Sequence, residues 1–392
     1  MKLVYVTSRY PYGPGEAFLS PELAAHVAAG CGLRIFPAYP RGSVSHGDAA
    51  ALLTRVVGRG PVRDAVALAE RVAFRPAVAR SVARIAAARQ PARIRTKNVR
   101  VCSRLGSLVA LLERAEPDHV HVHWGGTSST LAMAAAEAVR VPWSVTLHRW
   151  DIYENNLLAR KISSAAFTRV ISDGAVGELR TFVPDADPVV LHMGVDLPAQ
   201  PAPLEGAAER TCRFVCVASL VPVKNHQGLL RAFAASGTSA TLELVGAGPL
   251  EQELRQLARS FGIDDRVVFT GLVDHDRLLE RARAGDWDAV VLASGAGESE
   301  HEGIPVSLME AMAAGLPAVA TDSGATRELV TEQTGIVVPP GDTSALADAL
   351  RLLGGDPDLR RRLGAAARRR VAESFDARAV AARLRELFGG AA

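Results

Sequence analysis

The sequence predicts an α/β protein of two doubly wound, Rossmann-like domains facing a cleft, each a parallel sheet with helices on both faces. Three observations lead there. Short apolar runs alternate with helix-period segments along almost the whole chain, the pattern of parallel strands joined by crossover helices. At 392 residues the chain exceeds one ordinary core, and two domains of roughly 150–200 residues are the expectation. Between the two strand sets lies the Pro-rich stretch DLPAQPAPLEGAAER, residues 196–210, which reads as an interdomain linker.

In the first half the strands are expected in KLVYVTS, RIFPAY, HVHVHWG, WSVTLH, RVISD and PVVLHMG. In the second they are expected in RFVCVAS, TLELVG, RVVFTG, DAVVLAS, PAVATD and GIVVPP. This gives a first domain over 1–198, a linker over 199–210 and a second domain over 211–374. Sheets of this kind bind ligands at the carboxyl ends of their strands. The opening MKLVYVTSRYPYG has four apolar residues before polar and turn residues intervene. That suits a first strand rather than a signal peptide, whose apolar core runs roughly 7–15 residues. No apolar run approaches the ~18 residues of a membrane span.

A composition of 48% apolar and 22% charged residues is that of a folded globular protein. A net charge of +3 gives no reason to expect a nucleic-acid partner. The four cysteines have neither CxxC nor zinc spacing, so they read as structural thiols in a reducing, cytoplasmic setting. Charge is uneven, however. Residues 63–104 carry ten Arg and one Lys against Asp64 and Glu70. Arg71, Arg75, Arg80 and Arg84 recur near helical spacing, so a basic face there could meet an anionic membrane surface or an anionic substrate. A solvated helical face is the simpler reading, and Pro76 and Pro91 oppose one continuous helix.

The densest motif is ESEHEGIPVSLMEAMAAGLPAVATDSGATREL, residues 298–329. Pro305 suits a first helical turn, and Gly315 with Pro317 mark a helix end. Glu302 then falls in the loop after a strand, and Glu310 about one and a half turns into the helix. The helix start at Gly303, Ile304, Pro305 and Val306 offers unpaired N–H groups and a positive dipole end, which suits a diphosphate. A carboxylate accepts two hydrogen bonds at once and suits a vicinal diol. Together these describe a nucleotide-sugar site. The face His119, His121, His123 of one strand could suggest a metal, yet no carboxylate or cysteine completes a usual set, so cleft-lining or core histidines are expected. DWD (286–288) and DAD (185–187) close a helix and sit in a Pro-flanked loop, and neither reads as a metal motif.

Glu302 and Glu310 with the surrounding EGIPVSLMEAMAAGLPAV and the later Glu328 resemble the Glu-x7-Glu region of retaining GT-B glycosyltransferases. The resemblance is to glycosyltransferase family 4, especially its exopolysaccharide-type members, and it runs from the first strand to at least Val338. It implies a GT-B fold whose last helix, about 375–392, packs back on the first domain. ASLVPVKNHQGLLRAF resembles the family's phosphate-contacting segment, with Lys224 on the donor diphosphate and Ser219 where an arginine is usual. The resemblance places the turn at Gly246 beside the donor, and backbone contacts to the nucleotide base near Gly271, Leu272 and Val273. YPYGPGEAFLSPEL resembles the family's glycine-containing loop, with Gly13, Gly15 and Glu16 near donor and acceptor. SVTLHRWDIY resembles its His-Gly-x-Asp segment, in which His148 approaches the transferring sugar and Asp151 follows. Here Arg149 replaces the glycine and could shape the acceptor pocket, which His123 could also line.

The implied activity is transfer of a sugar from a nucleotide diphosphate sugar to an acceptor hydroxyl, with no metal required and no protein nucleophile. Catalytic roles fall to His148, Glu302 and Lys224. UDP is the preferred nucleotide and N-acetylglucosamine the sugar chosen for it. The acceptor would be a polysaccharide lipid intermediate or a small natural product, with residues 63–104 as a peripheral membrane contact. Two other readings share the fold: a sugar-nucleotide 2-epimerase and a catalytically silent sugar-nucleotide-binding subunit.

Overall fold

The computed structural model describes residues 1–12, 14–42, 50–57, 61–200, 211–295 and 303–390. Each of the apolar runs forms a strand. They are β1 (Lys2–Thr7), β2 (Gly32–Pro37), β3 (His119–His123), β4 (Trp143–Leu147), β5 (Phe167–Val170) and β6 (Val189–Val190). They continue as β7 (Arg213–Val217), β8 (Thr241–Val245), β9 (Val267–Gly271), β10 (Ala289–Leu292), β11 (Ala318–Thr321) and β12 (Gly335–Val338). Two six-stranded sheets result, and their registered pairs are parallel. Contacts divide the chain into one unit of residues 1–192 with 378–392, and a second of 193–377.

In the first unit the strand order is β2-β1-β3-β4-β5-β6. Successive side chains of a strand face opposite ways, and β3 uses both faces. Val120 and Val122 join Val4, Val6, Val145, Leu131, Met133 and Leu105 in an apolar core. His119, His121 and His123 face the other way with Tyr5, Ser144 and Thr146, all fully buried. The C-terminal helix Ala377–Gly389 meets this polar layer, with the Phe388 ring 4.6 Å from His119. Covering Phe388 contributes roughly 1.5–3 kcal/mol.

The basic region forms three helices, Pro61–Phe74, Pro76–Ala87 and Ala92–Val101. Pro76 opens the second and Pro91 caps the third, positions where a missing N–H costs little. Part of the charge is compensated. Arg71 and Arg75 share Glu113, and Arg104 pairs with Asp64 at 2.8 Å. Among the described residues no helix is long and apolar enough to cross a membrane.

In the second unit the order is β12-β11-β10-β7-β8-β9. Strands β8 and β9 extend from β7 on one side, and β11 and β12 from β10 on the other, so the sheet's winding reverses between β7 and β10. Helix starts are set by side-chain caps. Asn225 accepts from Gly228 N at 3.2 Å before the helix His226–Ala235, and Asp342 from Ala345 N at 2.9 Å before Thr343–Gly355. Such caps are each worth about 1 kcal/mol. Asp288 accepts from Arg213 N at 2.8 Å and is fully buried, a structural anchor.

Candidate active site

The second unit gathers its candidate residues where the winding reverses, the place where open α/β sheets bind ligands. After β7, Ser219 is exposed and the turn Pro222–Lys224 brings Lys224 into a half-buried position. Burial lowers the Lys224 pKa from the usual lysine range, with the Cys216 thiol opposing. After β10, Gly295 N donates to Val223 O at 2.8 Å, joining this loop to the Lys224 turn. The helix foreseen after Gly303 spans Val306–Ala313, with Pro305 as its cap rather than its first residue. Leu308 N and Met309 N both reach Pro305 O, which leaves the N–H groups of Val306 and Ser307 without an intrahelical acceptor. Ile304 is 8% exposed beneath them. Glu302 and Gly13 lie outside the described residues.

Glu310 faces His275, whose Nε2 lies 2.7 Å from Glu310 Oε1. His275 opens the helix His275–Arg283, directly after Gly271, Leu272 and Val273. The expected base-contacting backbone and the expected ribose carboxylate are therefore linked through one imidazole that sequence reasoning missed. Gly271 has φ 76° and Leu272 is 83% exposed. Gly246 has φ 147°, and a Cβ built there would meet Ala218 O at 2.0 Å, so only glycine lets the loops after β7 and β8 approach so closely.

The first unit's sheet reverses its winding between β1 and β3. Glu16, in the 3₁₀ segment Pro14–Leu19 that also holds Gly15, is 6% exposed. Its carboxylate accepts from the N–H groups of Ser8, Arg9 and Tyr10 at 3.1, 2.5 and 2.6 Å. It also accepts from Trp124 Nε1 at 2.7 Å. Trp124 follows β3 with φ 78°, a left-handed conformation that is uncommon for a bulky residue. The His148 ring stacks on the Trp124 indole at 4.1 Å and 23°, with Phe18 5.7 Å away. His148 Nε2 is buried and has no hydrogen-bond partner among the described residues. Burial holds the His148 pKa well below 6.5, and His123 and Arg169 push the same way, so the imidazole is neutral.

Asp151 is buried and accepts from His148 N at 2.9 Å, which fixes the start of the helix Arg149–Glu154. Burial raises Asp151 to about 6 against the backbone N–H groups of Gly125 and His148. Arg149 is paired with Glu178, Nη2 to Oε1, at 2.6 Å. Lys161, not foreseen, donates to Gly125 O and Gly126 O at 2.6 and 2.8 Å, and burial lowers it to about 7. His123 Nε2 meets Glu22 Oε1 at 3.0 Å, and Arg169 Nη1 holds Glu22 Oε2 at 2.8 Å. The ligand atoms of Glu22, His121 and His123 lie within 4.8 Å of one another. Arg169 already neutralises Glu22, however, and both His121 nitrogens bond Ser144 or Thr146 hydroxyls. The set therefore fits a hydrogen-bonded core better than a metal.

Comparison with known proteins completes the description. Residues 205–370 match the family described as Glycosyl transferases group 1. An N-acetyl-alpha-D-glucosaminyl L-malate synthase of Bacillus anthracis is 28% identical over 288 residues, 68% of this chain and 73% of that protein. A GDP-mannose-dependent monoacylated alpha-(1-6)-phosphatidylinositol monomannoside mannosyltransferase of Corynebacterium glutamicum is 33% identical over 169 residues, 42% of this chain and 44% of its own. The fold of Anabaena Alr3699/HepE, solved with UDP, matches with TM-score 0.73 at 18% identity over 100% of both chains. Two parallel-sheet units of this topology and these relatives define a GT-B glycosyltransferase. Within that class, residues 205–370 carry the segment described as Glycosyl transferases group 1.

Proposed function

We propose that the enzyme is a retaining transferase that moves a sugar from a nucleotide diphosphate sugar to a hydroxyl of a polysaccharide intermediate or a small natural product. A UDP-sugar is the proposed donor, with UDP-N-acetylglucosamine the first candidate. The observation that carries this reading is the convergence at the second unit's winding reversal. There the turn Pro222–Lys224 follows β7 and the helix start at Val306, leading to Glu310, follows the neighbouring β10, so a cation, a helix N-terminus and a diol acceptor lie on the loops after adjacent strands. In this reading Glu310 holds the ribose, the backbone of Gly271–Val273 meets the base, and Glu302 holds hydroxyls of the transferred sugar. Lys224 and the N–H groups after Gly303 stabilise the departing diphosphate. Ser219 adds no charge, so the leaving group depends on those two.

The acceptor oxygen bonds to the anomeric carbon on the face from which the phosphate oxygen departs, and that phosphate takes the acceptor's proton. No protein nucleophile takes part, and with Lys224 and the helix end on the diphosphate the reaction requires no metal. The neutral His148 imidazole offers Nε2 to a hydroxyl of the transferring sugar. The name of the Bacillus relative favours N-acetylglucosamine and an α-linked product. That of the Corynebacterium relative makes GDP the competing base. The test is thermal stabilisation by UDP-, GDP- and dTDP-sugars without metal. Ligand at 100 times its Kd adds about 2.7 kcal/mol. A shift with one base only, abolished in Glu310→Ala, is expected, and no shift with any of them overturns the reading.

A further inference from the structure

We propose that Glu16 is a positioning residue: it locks the walls that hold His148 rather than touching substrate itself. This rests on the reading that His148 meets the transferring sugar. Three consecutive N–H groups at the end of β1 converge on the Glu16 carboxylate, which also takes the Trp124 indole N–H. Consecutive N–H groups turned to one point form an anion-binding concavity. Here the chain fills it with its own side chain, so this concavity does not cradle a substrate phosphate.

The single carboxylate spans 108 residues of sequence to join the loop after β1 to the residue after β3. Both of His148's aromatic walls depend on it. Trp124, stacked at 4.1 Å, is one of its donors, and Phe18 stands two residues from it on the same 3₁₀ segment. The left-handed Trp124 backbone needs such over-determination, because strained conformations persist only where surrounding contacts enforce them. Trp124 N remains in the ladder through Thr146 O at 3.1 Å, so the residue is held at its backbone and at its indole N–H. What emerges from this cradle is His148 Nε2, buried and without a hydrogen-bond partner among the described residues. The charged or titratable groups that act on it are His123 of β3, Arg169 of β5 and Glu22 of the helix Ser20–Ala28.

The experiment compares the full-length enzyme with Glu16→Gln and Trp124→Phe. The first substitution keeps the side chain's shape but turns an amide NH₂ group toward N–H donors. The second keeps a stacking ring but loses the indole donor. Two readouts are taken: release of UDP from UDP-N-acetylglucosamine without acceptor, alongside the Kd for UDP, and titration of the His148 imidazole by NMR. Displacement of a reacting group by about 1 Å can cost on the order of 100-fold. Turnover is therefore expected to fall roughly 10- to 100-fold in Glu16→Gln, and less in Trp124→Phe, with the Kd for UDP unchanged. The His148 titration should move toward its ordinary value in both. An unmoved His148 titration overturns the proposal even if turnover falls, because the loss then does not pass through His148. If Glu16→Gln does not fold, Trp124→Phe decides alone. Absence of turnover in the unmodified enzyme would count against the proposed donor, while the imidazole titration would still decide this inference.

Discussion

Acidification should destabilise the first unit through the buried polar layer that underlies its candidate site. His26 and His119 are both fully buried, and burial lowers each from 6.5 to about 4. Between those values the unfolded chain binds more protons than the folded one, so stability falls as pH drops from about 6.5 toward 4. Going from pH 7.5 to 5, each histidine removes about 2 kcal/mol. Asp151, raised from 3.8 to about 6, acts oppositely and returns about 1 kcal/mol, because its folded form takes up the proton more readily. His121 and His148 shift in the same direction as the first two. The net loss is roughly 2–3 kcal/mol or more, a fall in Tm of roughly 5–10 °C for a unit of this size. Calorimetry of the whole chain at the two pH values measures it. His226, also near 4, adds its own loss in the second unit, so His119→Gln is needed to isolate the first. That variant can still donate to Ser144 Oγ, the partner of His119 Nε2 at 2.8 Å. Its pH sensitivity should shrink by about 2 kcal/mol whatever its absolute stability. A variant as acid-sensitive as the parent would refute the assignment.

Gly246→Ala should lower stability by several kcal/mol and distort the Lys224 loop, because the new methyl meets Ala218 O at 2.0 Å; a Tm within about 2 °C of the parent would contradict this. His275→Ala should weaken UDP binding roughly three- to ten-fold by freeing the Glu310 carboxylate to rotate, and tighter binding would instead make His275 a competitor for the same oxygen. Saturating EDTA should leave donor binding and turnover unchanged, measured as the Kd for UDP and the rate of UDP release, and a tenfold loss restored by Mg²⁺ would show that the diphosphate needs a metal.

The strands were legible because β-branched residues at period two or in short continuous runs leave little alternative, and AVVL or AVAT between turns can only be a buried strand. The carboxyl-edge residues of the second unit were legible for a related reason. A helix start is written locally, in Pro305 before it and Gly315 after it, and Gly315 has φ 95°. The first unit's site was legible only in part. Glu16 was identified, but its partners were not, since Trp124 stands 108 residues away. Lys161 carries no local signal, and only tertiary packing turns it onto Gly125 O and Gly126 O. Arg149 was read as a cation that could shape the acceptor pocket, and its pairing with a carboxylate 29 residues on was not foreseen. Long-range polar pairing has no period, so no window of sequence contains it.

That contrast bears on how the two half-sites can change. In the second unit the proposed ligands are largely backbone groups and common side chains: a helix start, the Gly271–Val273 chain, one lysine and one glutamate. Backbone N–H and C=O groups are present whatever the side chain. On that proposal the base contacted there can change through small loop displacements while the motif stays intact; the named relatives, one an N-acetyl-alpha-D-glucosaminyl L-malate synthase and one GDP-mannose-dependent, differ in the sugar their names give. In the first unit the arrangement rests on side chains that satisfy one another, Glu16 with Trp124 and Glu22 with His123 and Arg169. Removing one member leaves a buried donor or acceptor unpaired, at a cost of about 1–3 kcal/mol. Such a network resists single substitutions and changes only in concert, so a change of donor is accessible one residue at a time and a rebuilding of the His148 cradle is not.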